Sequence, residues 1–430
     1  MEWDSRIWEK SIDEFRDFMM PLVAIMGRSE RRVAATRYVG GLLLPGERKS
    51  IEPMAARLGV DGQSLQQFVT DSPWDEQTVW RAIRQEIIPH LEPIEAWVID
   101  ETGWVKQGKH SVGVAHQYCG AVGKNANCQV SVELTTSNGW VAAPIGGRLY
   151  LPKSWTSDPA RCRAAGVPSE VVFQTKPELA VALTGEALAD GVIPAPVLGD
   201  SVYGDSSELR SSLRNQGLEF FLQVTPTAHK GWAQEVPTVV KQRRRRLAAE
   251  VAPAQTLAEL AQTISTRDWK DCKWTTADGK TRSTRLAWMQ VYLGHNLRHA
   301  DGELEKLWLV IDWPENSEAP YHYYLAHLHR LPTTARCLKL SRSRWHIEQY
   351  YQRSKTDLGL DHYEGRSWRG FHHHLVLCAI AYLFVLAVYS RHKKNFWAHV
   401  GTSAPRDPTV LAEIRRLLPL LRNEVQQSRQ

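Results

Sequence analysis

The chain has 430 residues, of which 43% are hydrophobic and 23% are charged. These proportions are typical of a folded globular protein of two or three domains and exclude a largely disordered chain. The net charge is only +6, so any affinity for nucleic acid has to come from local basic patches. The six cysteines show no CxxC or other metal-ligand spacing, which predicts free thiols and a reducing, cytoplasmic setting.

Residues 1–92 are predicted to form an all-helical N-terminal domain. Within it, Ser50 caps a helix that a Gly-Val-Asp-Gly turn separates from a second helix. This pattern is typical of a helix-turn-helix, in which Gln63, Gln66 and Gln67 would reach the major groove of DNA. A plain helical hairpin used for packing or dimerisation fits equally well, and both interpretations stay open.

Residues 93–224 have an α/β pattern. An apolar strand within "IEAWVIDETGW" ends at Asp100, and "HSVGVAHQYC" and "NCQVSVELTT" follow as two strands of an antiparallel meander. After a loop, a helix is predicted at 176–191, then a strand that ends at Asp200, a helix at 207–215 and the strand "FFLQV". The order predicts an α/β fold whose core resembles the ribonuclease-H-like fold, a mixed sheet flanked by helices.

The α/β pattern stops at residues 225–328, which are predicted to be a strand-rich insertion. Its strands are "TRLAWMQVYLG", "EKLWLVIDW" and "YHYYLAHL", and it also contains the basic run "KQRRRR". Such a run is usually a solvated face, although it also suits contact with a phosphate backbone.

The remaining chain is divided into residues 329–395, with two helices, and 396–430, a linker and an amphipathic helix. The apolar run Leu375–Tyr389 has 15 residues, fewer than the roughly 20 that cross a bilayer. It is predicted to be a buried helix, so no membrane partner is expected. The start of the chain also lacks the pattern of a signal peptide.

The run "RSRWHIEQYYQRSK" at 342–355 is predicted to be one turn-free helix. Arg344, Glu348, Tyr351 and Lys355 fall on one stripe of it, because they are spaced by three, four and seven residues or their sums. A salt-bridged surface helix is the plain interpretation. The alternative is that Glu348 has a special role among groups that attract phosphate.

Asp100 and Asp200 each follow an apolar strand. If the two strands are parallel neighbours, both carboxylates lie at the edge of the sheet where ligands bind in α/β proteins. Glu348 on a helix beside that edge would complete a three-acid pocket for two Mg²⁺ ions, for which Mn²⁺ can substitute. Arg344 and Lys355 would then bind phosphates. Each aspartate alone would more often be a turn former or helix cap.

Two nearby acids are predicted to stand outside this pocket. Glu101 should point away from its neighbour Asp100, since successive side chains alternate along a strand, and Asp205 resembles the cap of the next helix. The His372–His374 run suggests zinc, but consecutive residues on a helix point in different directions and no suitably spaced partner pair exists in the sequence.

Four segments resemble the DDE transposases of bacterial insertion sequences, in the branch with a strand-rich insertion before the glutamate: "VIDETGWVKQGKHSVGVAHQYCG", "LYLPKSW", "GDSVYG" and "RWHIEQYYQRSKTDLGLDHYEGRSWRGFHHH". The resemblance runs from about residue 50 to 389. In such families tyrosine, arginine, glutamate and lysine are separated by two, three and six residues. Arg344, Glu348 and Lys355 fit this pattern, whereas Ser341 stands at the tyrosine position.

The resemblance implies that Asp100, Asp200 and Glu348 are the catalytic, metal-binding acids of a cut-and-paste transposase. Water cuts at the ends of the element, and the freed 3′-hydroxyls attack target DNA. It also implies a hairpin intermediate and an aromatic residue that holds a flipped base; the insertion offers Trp232, Trp288, Trp308 and Trp313.

The implied partners are double-stranded DNA, both terminal inverted repeats and target, and a second copy of the chain as a homodimer on DNA in the cytoplasmic nucleoid. The predicted DNA contacts are Arg344, Tyr351, Lys355, Arg243, Arg244, Arg245, Arg246, Gln66 and Gln67. Two alternatives stay open: a metal-dependent nuclease without strand transfer, and a host-adopted DNA-binding regulator that has lost catalysis. Retention of all three acids weighs against the regulator.

Overall fold

The structure is a computed structural model. It describes residues 15, 18–44, 46–91, 93–139, 141–241, 244–248, 250–276, 279–294, 303–315 and 317–399, of which 240, 241, 244, 245 and 388–399 are described by their backbone alone. The C-terminal helix predicted within 396–430 therefore lies almost entirely outside the described residues.

The N-terminal part of the described chain is helical. After a helical segment at 18–24 come α1 (Ser29–Leu43), α2 (Ile51–Leu58), α3 (Gly62–Thr70) and α4 (Glu76–Ala82). Ser50 is the N-cap residue of α2, which ends at Gly59 with a left-handed φ of 63°. Asp61 caps α3 by accepting hydrogen bonds from the backbone N–H groups of Gln63 and Ser64. The predicted pair of helices and its turn are confirmed.

Five strands form a ribonuclease-H-like core in the order β4-β3-β1-β5-β6. The strands in this part of the chain are β1 (Ala96–Val105), β2 (Ala115–Cys119), β3 (Lys124–Ser137), β4 (Ala142–Leu149), β5 (Val197–Gly199) and β6 (Phe220–Gln223). β3 is antiparallel to β1 and β4, while β5 is parallel to both β1 and β6. The predicted fold class is confirmed.

The third core strand is β4, which the sequence did not predict. The meander was assigned to β1, β2 and β3, but β2 is a short hairpin strand on β3, and the stretch predicted as a loop contains β4. Pro144, Gly146 and Gly147 make "AAPIGGRL" resemble a loop. The fold needs these glycines, because a Cβ at Gly147 would lie 2.8 Å from a Leu375 methyl and one at Gly146 3.0 Å from Leu183.

Five helices of the described chain accompany the core sheet; the two longest were predicted, whereas the three short ones were not. They are α5 (Lys153–Thr156), α6 (Pro159–Ala164), α7 (Lys176–Ala189), α8 (Ser201–Gly204) and α9 (Ser207–Asn215). A capping box of Thr175 and Glu178 begins α7. Gly191, with a φ of 83°, follows the end of α7, close to the predicted end of this helix at residue 191.

The insertion extends the core sheet. Its elements are β7 (Lys230–Trp232), β8 (Thr238–Lys241), β9 (Arg244–Leu247), β10 (Gln255–Thr256), α10 (Leu257–Gln262), β11 (Lys270–Thr275), β12 (Thr281–Leu293), β13 (Glu305–Pro314) and β14 (His322–His327). β12, β13 and β14 confirm the three predicted strands. β14 pairs with β6, so the sheet continues from the core into the insertion, while β8 and β9 pair separately.

The helix predicted over 342–355 is broken at Arg344. The chain forms α11 (Thr334–Ser343) and α12 (Trp345–Thr356), with Arg344 in helical conformation at the junction. The prediction of one uninterrupted helix was therefore wrong at this residue. The junction places Arg344 at the start of α12, one turn before Glu348.

The last described helix is α13 (Trp368–His399). Its segment Trp368–Ala387 is long and apolar enough to cross a membrane, but 89% of that stretch is buried inside the protein, as in the core helix of a globular fold. The Phe384 ring packs 4.9 Å from that of Phe15. The N-terminal helices and the sheet thus share one hydrophobic core with α13, and the domain boundary near residue 92 stays a prediction.

Candidate active site

Asp100 and Asp200 are neighbours because β1 and β5 are parallel with an offset of 100 residues. Trp97 pairs with Val197 and Val98 with Leu198, so the same register brings Asp100 level with Asp200, one residue beyond the end of β5. The condition stated for these strands, that they be parallel neighbours, is met. The two carboxylates are close enough for the charge of Asp200 to raise the pKa of Asp100.

Asp200 is fixed by the short helix α8. Its carboxylate caps α8 by accepting a hydrogen bond of 2.9 Å from the Val202 N–H. At the other end of α8, a Cβ on Gly204 would collide with the backbone carbonyl of Gln223 on β6. The segment "GDSVYG" therefore needs its second glycine for close packing, and Asp200 is a helix cap as well as a site acid.

Arg344 joins two of the predicted catalytic acids. Its Nη1 lies 3.0 Å from Asp100 Oδ2 and its Nη2 lies 2.6 Å from Glu348 Oε1. The second contact is the salt bridge along α12 that the plain interpretation predicted. The first links α12 to β1, and the charge of Asp200 also acts on Arg344. One guanidinium thus bridges two of the three carboxylates.

Glu101, which was expected to stand outside the pocket, is nevertheless close enough for its charge to act on both site aspartates. Its carboxylate accepts hydrogen bonds from Lys176 Nζ at 2.6 Å and from Tyr203 Oη at 2.8 Å. Its charge raises the pKa values of Asp100 and Asp200. The expectation rested on the alternation of side chains along β1. On the side that Glu101 faces lie Tyr203, just after β5, and Lys176 at the start of α7.

The site holds more negative than positive charge. Burial, and then the charges of Asp200 and Glu101, raise the pKa of Asp100 to about 8, although Arg344 opposes the shift. Burial and Glu101 also raise the pKa of Asp200. The arrangement favours the arrival of additional positive charge, which a divalent cation would bring.

The oxygen donors suit a hard cation such as Mg²⁺. Among the described residues, however, no group of three histidine, cysteine, aspartate or glutamate side chains is close enough to hold a metal ion. The three acids thus have the right chemistry for a metal site but not the right spacing, since Asp100 and Glu348 are both bound to Arg344. Cation binding would require these two carboxylates to exchange the guanidinium for the metal.

A buried carboxyl group that the sequence analysis did not identify lies on the strand next to Asp100. Glu133 is opposite Asp100 in the β1–β3 pairing and accepts hydrogen bonds from Tyr350 Oη at 2.8 Å and Ser131 Oγ at 2.9 Å. Burial raises its pKa to about 7. Through its hydrogen bond with Tyr350, Glu133 links β3 to α12.

Two predicted DNA contacts are turned inward. Tyr351 is 8% exposed, and burial raises its pKa far above the ordinary value. Lys355 donates a hydrogen bond of 2.8 Å to the Gly103 carbonyl on β1. Their role as DNA contacts stays a prediction, although the burial of Tyr351 and the hydrogen bond of Lys355 lend it no support.

The other predicted DNA contacts are spread over the molecule. Gln66 and Gln67 are exposed on α3, as is Arg246 on β9. The side chains of Arg244 and Arg245, and the whole of Arg243, lie outside the described residues. Asp205 is not the helix cap predicted, since Ser206 caps α9; Asp205 instead accepts from His229 Nε2 at 2.9 Å.

The residues beside the candidate site that the sequence analysis did not connect to it are Glu101, Lys176 and Tyr203. A signal for them existed, since Glu101 and Tyr203 lie within the segments that carry Asp100 and Asp200. Their contact joins residues 102 positions apart, so only the pairing of β1 with β5 revealed it.

Fold and site together define a ribonuclease-H-like protein with an acidic centre where Asp100, midway along β1, lies level with Asp200, just past the end of the parallel strand β5. A family model described as DDE superfamily endonuclease matches residues 21–284, which is more than half of the chain. The chain belongs to this family, whose members are generally dependent on divalent metal ions. The match includes Asp100 and Asp200 and ends before Arg344 and Glu348.

A curated relative supports the same assignment. The chain is 32% identical over 183 residues to a protein of Microchaete diplosiphon named as a probable transposase for insertion sequence element IS701. The match covers 41% of this chain and 45% of that protein. The chain thus spans less than half the length of the relative it matches.

Proposed function

We propose that the protein is a DNA transposase that cuts the ends of an insertion sequence and joins their 3′-hydroxyls to target DNA. The observation that carries the proposal is that Arg344 contacts both Asp100 and Glu348 while strand pairing brings Asp100 level with Asp200, on the side of the parallel strands where α/β proteins bind ligands. The family assignment and the name of the relative support it.

Asp100, Asp200 and Glu348 would hold two Mg²⁺ ions, or Mn²⁺ in their place. When bound, such ions supply positive charge at the attacking and leaving oxygens of a phosphodiester. The protein contributes the positions of the carboxylates: Asp100 is fixed on β1, Asp200 by its cap on α8, and Glu348 by α12. Once released from Asp100 and Glu348, Arg344 is free to bind a phosphate of the DNA.

The finer steps follow from the resemblance to transposases of insertion sequences. They are recognition of terminal inverted repeats by α3, action as a homodimer on DNA, and a hairpin at the cut end. Trp232 and Trp313 each donate an indole N–H hydrogen bond to a backbone carbonyl, whereas Trp288 and Trp308 pack against the core. The proposed activity places the protein with the bacterial nucleoid.

A nuclease that cuts without strand transfer is the second candidate, since the family description names an endonuclease. The two functions differ in their products. Cleaved ends that are joined to a target plasmid indicate a transposase, and cleaved ends that remain free in the presence of target DNA indicate a nuclease.

The test is cleavage of labelled terminal-repeat DNA in Mg²⁺ or Mn²⁺ by the full chain and by Asp100→Asn, Asp200→Asn and Glu348→Gln variants. We expect each variant to bind DNA in a gel shift and to cut at least roughly a hundredfold more slowly, the size of effect seen when charge stabilisation at a reacting oxygen is removed. Glu86→Gln, at an exposed acid outside the site, is the matched control and should cut normally. Normal cleavage by Glu348→Gln would reduce α12 to a salt-bridged helix.

A further inference from the structure

The cations that the sequence assigned to phosphate binding are engaged within the protein. Arg344 contacts Asp100 and Glu348, and Lys355 contacts a backbone carbonyl. On α11, the cations also have acidic partners, at 2.6 to 2.8 Å: Arg336 with Glu219, Lys339 with Glu95 and Arg342 with Asp312. On α11, these three cations are therefore paired with acids, whereas on α12 Lys355 is held by a neutral carbonyl.

Unpaired cations gather instead past the end of β1. Lys109 and Arg366 are exposed, and no ion pair involving them or Arg161 is found among the described residues. Arg161 Nη2 donates a hydrogen bond of 2.9 Å to the Lys109 carbonyl. The backbone carbonyl of Arg366 accepts one of 3.0 Å from the Val112 N–H. These contacts bring the three chain segments that carry Lys109, Arg161 and Arg366 close together, and the three residues are called the basic track below.

The acids near the basic track are already engaged. Asp158 accepts a hydrogen bond from the Arg161 backbone N–H as the cap of α6, and Glu364 pairs with Arg48. The guanidinium of Arg161 lies flat on the Trp155 ring, 3.7 Å from its centroid. Stacking of this kind fixes the plane of an arginine and leaves its edge able to bind a phosphate.

The segments that carry the basic track connect to the acidic site on one side and to the helix pair α2–α3 on the other. β1 runs five residues from Asp100 to Val105, about 17 Å at the usual rise of a strand, and Lys109 follows. On the other side, Arg369 Nη1 donates to the Asp71 carbonyl just after α3, at 3.1 Å. A duplex held by α3 and cut at Asp100 would pass the basic track on the way.

We propose that Lys109, Arg161 and Arg366 bind phosphates of duplex DNA on the flank of the bond that is cut. The inference rests on the proposed function and adds the surface that holds the substrate. Contacts of this kind position a duplex without reading its sequence, so the basic track contributes to the affinity for every DNA and aligns the end with Asp100.

The experiment compares the full chain with a Lys109→Gln, Arg161→Gln, Arg366→Gln variant. Binding to terminal-repeat duplex is measured over a series of salt concentrations. We expect the slope of log affinity against log salt to become shallower by roughly 0.9 for each phosphate contact removed. At low salt, affinity should fall roughly tenfold or more for terminal-repeat and unrelated duplex alike.

The control variant removes the same charge from the opposite end of the sheet, at Lys270→Gln, Lys273→Gln and Arg282→Gln on β11 and β12, where all three are exposed. It should keep the wild-type salt slope. Because Arg161 also packs on Trp155, a second variant changes only Lys109 and Arg366, and it should show about two thirds of the change in slope.

An unaltered slope in the triple variant, or equal losses in the control, would overturn the basic track. These outcomes are separate from failure of the proposed function: a wild-type chain that cuts terminal-repeat DNA while the triple variant binds normally refutes only the track. If the wild-type chain neither binds nor cuts DNA, the proposed function fails, and the track fails with it.

Discussion

At the scale of single residues, Glu101 and Tyr203 connect the segments that carry the two site aspartates. Tyr203 is fully buried and lies three residues after Asp200 in α8, and its hydroxyl donates to the carboxylate of Glu101 next to Asp100. Lys176 at the start of α7 binds the other oxygen of the same carboxylate. The spacing of Asp100 and Asp200 thus depends on the hydrogen bond between Tyr203 and Glu101 as well as on the pairing of β1 with β5.

Tyr203→Phe tests this connection. Loss of a hydrogen bond to a buried carboxylate costs about 1–3 kcal/mol, so the variant should fold and bind DNA. Because Asp200 is held less firmly, we expect half-maximal cleavage to need roughly tenfold more Mn²⁺. Calorimetric titration of Mn²⁺ into the protein should show the same shift without any reaction.

The matched control is Tyr38→Phe, which removes a buried hydroxyl that lies 2.9 Å from His374 Nδ1, away from the site acids. It should lose similar stability but keep the wild-type Mn²⁺ requirement. A Tyr203→Phe variant with unchanged Mn²⁺ affinity would show that Tyr203 only fills the core.

At the scale of elements, α13 is held in place by its histidines. His373 has its two ring nitrogens 2.8 and 3.0 Å from the carbonyls of Val69 and Trp74, near the end of α3. His372 Nε2 accepts from the Leu149 N–H at the end of β4. Among the described residues these histidines contact backbone groups, aromatic rings, the Tyr38 hydroxyl and the Cys378 thiol.

The burial of His374 predicts a loss of stability in acid. Burial lowers its pKa to about 3, whereas an unfolded histidine titrates near 6.5. Between about pH 6.5 and pH 3, His374 is therefore protonated in the unfolded chain but neutral in the folded chain. The contribution of neutral His374 to the free energy of unfolding should be complete above pH 6.5. As the pH decreases through this window, the free energy of unfolding should fall by up to roughly 1.4 kcal/mol per pH unit.

Urea unfolding of wild type and His374→Gln between pH 7 and 4.5 measures this contribution. The variant should be less stable at pH 7, because Tyr38 loses its partner, but its stability should fall less steeply with decreasing pH. His110→Gln, at an exposed histidine, should keep the wild-type slope. Equal slopes in His374→Gln and wild type would contradict a buried neutral imidazole.

At the scale of the whole molecule, one core joins parts that the sequence separated. The Phe384 ring on α13 contacts those of Phe15 and Phe18, and the ring of Trp74 stacks on His373 at 3.5 Å. On the other side of the molecule, the fully buried pair Arg210–Glu305, at 3.0 Å, ties α9 to the first residue of β13. Both the N-terminal helices and the insertion are thus anchored to the catalytic core by buried contacts.

Deletion of residues 1–92 should therefore unfold the protein. It would expose the apolar face of α13, and each large side chain returned to water costs about 1.5–3 kcal/mol. Several such side chains exceed the total stability of a domain, about 5–15 kcal/mol. We expect the truncated chain to aggregate in size-exclusion chromatography and to lose its near-ultraviolet circular dichroism.

A Gln63→Ala, Gln66→Ala, Gln67→Ala variant serves as control, since these side chains are exposed on α3. It should stay folded, and it should lose preference for terminal-repeat DNA if α3 reads the major groove. A truncated chain that is monomeric and unfolds cooperatively would instead support the separate N-terminal domain predicted from the sequence.

Local patterns were enough to predict most elements and the candidate acids. Strand and cap signals located β1, β5, α2, α3 and α9, because apolar runs and capping residues act over a few positions. The salt bridge from Arg344 to Glu348 also follows from helical spacing alone. By contrast, β4 was missed because its proline and glycines resemble a loop until α7 and α13 are packed against it.

Only the tertiary structure decided which groups share the site. The contacts of Arg344 with Asp100 and of Tyr203 with Glu101 join residues 244 and 102 positions apart, and no local spacing encodes such distances. The stripe on α12 was correctly aligned, yet the sequence could not tell which face of the helix meets the sheet. That choice depends on packing against β1 and α13, and it buried Tyr351 and brought Lys355 to the Gly103 carbonyl.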